Sequence, residues 1–128
     1  MSTIKENIVS CLTLVKMQAH RNYHPSPTNH YKPGRASLAA MYAAGVTILA
    51  GSDANKSSNN AKVEYREGLH KELELLVEAR LSKSEALRAV TVLPTEVFGL
   101  TDRGSVRPGL RADLVLIEDN PIEGIRAV

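Results

Sequence analysis

The sequence predicts an α/β chain that passes into a small β element near its carboxyl end. Three observations predict this. Two short continuous apolar runs occupy residues 8–15 and 46–51, segments of helical spacing fall at 37–44, 69–77 and 83–93, and the period changes from Gly99 onward. Apolar runs of four to eight residues without alternation suit strands buried on both faces, and strands alternating with helices suit a parallel sheet.

Residues 8–15 (IVSCLTLV) are β-branched and apolar and read as a buried strand. Residues 20–34 (HRNYHPSPTNHYKPG) carry three prolines and several turn formers, so a loop is expected. A helix is expected over 37–44, with Leu38, Met41 and Tyr42 on one face and Gly45 as a left-handed cap. The run 46–51 (VTILAG) reads as a second buried strand, and 52–60 (SDANKSSNN) as a polar loop.

Leu69, Leu73, Leu76 and Val77 recur at helical spacing, which predicts an amphipathic helix ending near Gly68 and Arg80. Glu72, Glu74 and Glu78 are expected on its solvated face. Ser82-Lys83-Ser84-Glu85 is a capping-box pattern that starts a further helix over 83–93, with a short helical turn through Pro94 to Phe98. Arg107-Pro108-Gly109-Leu110 suits a type II turn, and residues 112–118 (ADLVLIE) read as a strand stopped by Asp119-Asn120-Pro121.

Composition narrows the function classes. The 128 residues include 43% hydrophobic and 23% charged, as in ordinary globular domains, and the core must be aliphatic because Trp is absent and Phe occurs once. Sixteen basic and 14 acidic residues are interspersed, so neither nucleic acid nor an anionic membrane is an expected partner. The longest apolar stretch, 38–50, is too short to span a bilayer. Glu6, Lys16 and the lack of a small-residue cleavage site argue against a signal peptide around 8–15. Cys11 is the single cysteine, so a reducing, cytoplasmic setting is the default.

Chemistry concentrates at 46–55 (VTILAGSDAN). In parallel α/β folds, functional side chains gather just beyond the carboxyl ends of strands. Asp53 stands there with Ser52 and Asn55 nearby, where a carboxylate can bind a cation, accept a proton from a metal-bound water, or simply close an Asx-turn. His70 follows Leu69 on the amphipathic helix, and is either a packed rim residue with Glu74 as its neighbour or a group facing the cleft. His20, His24 and His30 fall in the Pro-rich segment with no compact ligand spacing. Asp113 is expected to hold turn amides.

Three segments in order, GVTILAGSDAN, GLHKELELLVEARLSKSEALRAVTVLPTEVFGL and DRGSVRPGLRADLVLIEDNP, resemble the end of amidohydrolase-superfamily enzymes, of the prolidase-like and imidazolonepropionase-like branch. The resemblance implies the C-terminal portion of a (β/α)8 barrel over residues 1–98, and a small β element of the adjoining β-sandwich over 99–128. It also implies a metal-dependent hydrolase acting on carbon–nitrogen bonds of a small amide or dipeptide substrate, with zinc the usual metal. Asp53 matches the family's aspartate after the eighth strand, which binds metal and accepts a proton from the attacking hydroxide. Asn55 and His70 become substrate-facing candidates.

The family's His-x-His pair after the first strand, and its later lysine or glutamate and histidine ligands, have no match here. A full barrel takes about 250 residues and a catalytic zinc about three protein ligands. The chain alone is therefore expected to be inactive, a truncated or interaction module, with open barrel edges able to self-associate. Arg80 stands where relatives have Gly at a helix end.

Overall fold

The computed structural model describes residues 8–23, 30–56 and 62–128. Strand β1 (Val9–Ser10) pairs in parallel with β2 (Thr47–Ile48), with Val9 opposite Thr47 and Ser10 opposite Ile48. Helices α1 (Leu14–Tyr23) and α2 (Tyr31–Ala43) lie between them in sequence. After β2 come α3 (Glu67–Glu78), α4 (Lys83–Val90) and α5 (Val92–Val97), and a 3-10 turn at Ile125–Ala127 packs back on α3. The α/β expectation holds.

Both strands are shorter than their apolar runs. The expected strand over 8–15 ends at Ser10, and Leu14 and Val15 instead open α1. Their backbone N–H groups, which the first turn of a helix leaves without partners, donate to the Glu72 carboxylate of α3 at 3.1 and 2.7 Å. A cap from 58 residues away thus converts the end of a strand-like run into a helix start. The second run keeps one ladder bond beyond Ile48, Leu49 N to Ser10 O at 2.8 Å.

The loop expected over 20–34 is largely helical where described: α1 runs to Tyr23 and α2 begins at Tyr31. His24 and residues 25–29 lie outside the described residues. Pro33 does not prevent α2, because it sits in the first turn, where a proline's missing N–H costs nothing. Gly45, at φ +83°, ends α2 in a Schellman arrangement, with Val46 N bonded to Met41 O and Gly45 N to Tyr42 O, both at 3.0 Å.

Helix α3 keeps the expected limits, but its glutamates do not form one solvated face. Glu72 is fully buried among Leu73, Leu75 and Leu76. Glu78 is exposed, and Glu74 pairs with Lys71 at 2.8 Å and Arg126 at 3.3 Å, not with His70. The capping box forms in full: Glu85 N donates to Ser82 Oγ (3.2 Å), and Ser82 N donates to Glu85 Oε2 (2.9 Å). The helix expected over 83–93 breaks at Thr91 because the Pro94 ring would clash with the carbonyl of Val90 one turn back.

The core sits between the sheet and the helices, where Leu14, Leu38, Ile48, Leu73, Leu75, Leu76, Ala86 and Ala89 are buried. Val9 and Thr47, on the opposite face of the sheet, line an open cleft of about 370 Å³ with Leu93, Glu96 and Val97. The turn at 107–110 forms as expected, with Gly109 at φ +87° and Leu110 N bonded to Arg107 O. The strand expected over 112–118 does not form. The segment has no paired neighbour among the described residues, and a strand is stable only in a ladder. Asp113 accepts from the Arg111 guanidinium at 3.0 Å instead of from turn amides.

Candidate functional site

Parallel pairing brings the carboxyl ends of β1 and β2 to one rim. Cys11 leaves β1 there, and Gly51, Ser52 and Asp53 follow β2. The two segments run so close that a Cβ on Gly51 would lie 2.6 Å from Cys11 Sγ. The loop is held by its own short bonds. Ala54 N donates to Ser52 Oγ at 3.3 Å, Asn55 Nδ2 to the Asp53 carbonyl at 3.2 Å, and Asn55 N to Val63 O at 3.1 Å. Gly68, at the start of α3, closes the rim from below. A Cβ there would collide with Val63 Cγ1 and lie 3.4 Å from Ser52 Cβ.

Asp53 adopts φ +46°, a left-handed conformation that Asp tolerates better than most residues and that turns its side chain out of the chain's path. The carboxylate is 64% exposed and meets the Lys16 ammonium of α1 at 3.8 Å. Lys16 is itself mostly covered, so its position is set by packing and not by the ion pair alone. Cys11, the other reactive group on the rim, has its thiol pushed above the ordinary range by desolvation and by the Glu72 carboxylate, so it is no activated nucleophile.

Glu72 lies behind the rim. Burial pushes its carboxyl up to about 7, against the pull of the Val15 and Leu14 amides, which favour the ionised form. It titrates near neutrality at a site where it also holds the start of α1, the helix that carries Lys16.

Of the residues expected at the site, Asp53 and Asn55 are together, and His70 is not joined to them by any hydrogen bond or ion pair among the described residues. It stands half-buried on α3, two positions past Gly68. His20 is exposed on α1 and His30 precedes α2 without capping it. Among the described residues no group of three or more His, Cys, Asp or Glu side chains could hold a metal ion. Sequence reading missed Lys16 and Glu72. Glu72 had a usable signal: it falls three residues after Leu69 and four before Leu76, inside the apolar stripe and not opposite it. Lys16 had none, because its place depends on where α1 begins.

Comparison with known proteins covers nearly the whole chain. Residues 3–127 match the model of the Amidohydrolase family. An adenine deaminase of Methylobacterium nodulans is 53% identical over 34 residues, which are 27% of this chain and 6% of that protein. An adenine deaminase of Ligilactobacillus salivarius is 33% identical over 72 residues, 56% of this chain and 12% of that protein. Among solved structures, an amidohydrolase superposes with TM-score 0.67 at 22% identity, over 93% of this chain and 29% of that one. An uncharacterized protein superposes with TM-score 0.66 at 25% identity, over 93% and 30%. The chain therefore spans less than a third of each of these relatives.

Proposed function

The chain belongs to the amidohydrolase family, and from that membership we propose that it is the C-terminal portion of a hydrolase that cleaves a carbon–nitrogen bond in a small molecule. Residues 1–98 are then the end of a (β/α)8 barrel, with β2 its last strand, and 99–128 belong to the adjoining β-sandwich. Asp53 is the site residue of that reading. The observation that carries it is position: an aspartate five residues past Ile48, on the rim where parallel strands end, in a chain whose family match runs across this segment. Asn55, which supports the Asp53 backbone, and His70, two residues past the Gly68 contact, are its proposed substrate-facing neighbours.

The family is generally metal-dependent, but the residues described here do not fit a zinc site. A catalytic zinc takes three protein ligands, and Asp53 is one carboxylate facing a lysine ammonium. No step through a metal follows from this chain. In an assembled barrel Asp53 is the group that holds and moves a proton beside the scissile bond, and Lys16 faces its carboxylate at 3.8 Å. Alone, the 128 residues lack the remaining ligands and are a non-catalytic module of a cytoplasmic protein. The outer edges of β1 and β2, open among the described residues, are where further barrel strands, or another copy, would add. No helix among the described residues is long and apolar enough to cross a membrane.

The adenine deaminase relatives make adenine the first substrate to test, followed by N-acyl amides and dipeptides. The purified chain is expected to retain less than about a tenth of an equivalent of zinc after dialysis and to release no ammonia from adenine. Stoichiometric zinc and turnover, both lost in Asp53→Asn, would overturn the non-catalytic reading.

A further inference from the structure

Lys16 and Asp53 come from different segments, and one turn of α3 registers both. Glu72 accepts the Leu14 and Val15 amides at 3.1 and 2.7 Å, which fixes the first turn of α1 immediately before Lys16. Gly68, one turn earlier on the same face of α3, receives the loop that carries Asp53. A Cβ there would lie 3.4 Å from Ser52 Cβ. Gly51 adds a third contact, against Cys11 and Thr13 of the segment that leads into α1. The hydrogen bonds of the 52–55 loop end on backbone atoms and on Ser52 Oγ, and it is the Lys16 ammonium that meets the Asp53 carboxylate.

We propose that Lys16 is the resident cation of the Asp53 site, held there by α3, and that it occupies the carboxylate against divalent ions. An ordinary surface ion pair gains little, because two mobile side chains must be immobilised to make it. The Lys16 side chain is only 16% exposed, so packing has already removed most of its freedom, and the ammonium stands at 3.8 Å whether or not it pairs. A divalent ion approaching Asp53 meets that positive charge and must push it aside against the packing of α1. The misfit between Asp53 and a zinc site thus has a cause within this chain, beside the ligands it lacks. Lys16 is a positioning residue that acts through Asp53. Its meaning for hydrolysis rests on the reading of Asp53 as the site residue, whereas its competition with a divalent ion does not.

Titration of the isotope-labelled 128-residue chain with manganous ion, followed by paramagnetic broadening of backbone amide resonances, tests the proposal. Asp119, an exposed carboxylate remote in sequence from the rim, is the internal reference. In the parent, residues 52–55 should broaden only at higher manganese concentration than residues around Asp119. Lys16→Met, which keeps the apolar stem without the charge, should lower the concentration needed at 52–55 about fivefold and leave Asp119 unchanged. Lys16→Gln, a second neutral variant, should do the same, and Lys16→Arg should behave as the parent. Adding Asp53→Asn to Lys16→Met should remove the gain. A dispersed amide spectrum shows that each variant is folded. Neutral variants that bind as the parent does, a parent broadened first at 52–55, or a Lys16→Arg chain that binds like Lys16→Met would each overturn the role of Lys16. The titration reads the Lys16 contact without turnover, so a failed hydrolase reading of Asp53 would leave its result unchanged.

Discussion

Replacing Glu72 with Gln removes the one buried ionisable side chain of its kind among the described residues, and its consequence depends on pH. The Glu72 side chain has no exposed surface and accepts the Leu14 and Val15 amides. Desolvation raises its carboxyl from 4.5 to about 7. A group whose pKa is higher in the folded than in the unfolded chain binds its proton more tightly when folded. Its contribution to stability is therefore fully present below pH 4.5 and is lost as pH rises through about 7. At about 1.4 kcal/mol per pH unit, the loss across that window is ~3 kcal/mol.

Gln cannot ionise, so Glu72→Gln removes this dependence. It can accept only one of the two amides, which costs about 1 kcal/mol at every pH. The variant should be less stable than the parent at pH 4.5, about equal to it near pH 5 and more stable by about 2 kcal/mol at pH 8. Glu74, held low chiefly by Lys71, and Asp102, held low chiefly by Arg103, lose their contributions only at more acid pH. Urea unfolding followed by far-ultraviolet circular dichroism, at half-unit intervals from pH 4.5 to 8.5, measures both curves. Parallel curves for parent and variant would refute the assignment of that pH window to Glu72.

Arg80 ends α3 at φ +89° in the arrangement that Gly45 and Gly99 provide for α2 and α5, with Leu81 N bonded to Leu76 O and Arg80 N to Val77 O. Arg80→Gly should raise stability by about 1 kcal/mol, less the entropy that Gly adds to the unfolded chain, whereas Arg80→Ala should give no gain; urea midpoints decide. Gly68→Ala drives a methyl into Val63 Cγ1, which is 3% exposed and cannot move aside. A loss of about 1–3 kcal/mol is expected, and Val63→Ala in the same chain should recover part of it, whereas a loss unaffected by Val63→Ala would place the strain elsewhere.

Several elements were legible because their signals act within one turn of chain. The capping box at Ser82 and Glu85, the Gly45 cap and the Pro108-Gly109 turn each satisfy or orient backbone groups a few residues away, so composition at fixed spacing specifies them. The loop carrying Asp53 was legible for a related reason, since a continuous apolar run before a polar one marks a buried strand end. The strand over 112–118 was a correct reading of propensity and a wrong reading of structure. Pairing is a property of two segments, and only one is within reach among the described residues.

By itself, then, the sequence determined helix α3, the capped start of α4, the parallel character of the sheet and the placement of Asp53 beyond a strand. Only the tertiary structure decided that Glu72 is buried, that its carboxylate begins α1 at Leu14, and that Lys16 consequently reaches Asp53. Desolvation and hydrogen bonds between residues 58 apart in sequence leave no periodicity to read. They exist only once α3 has packed against the start of α1.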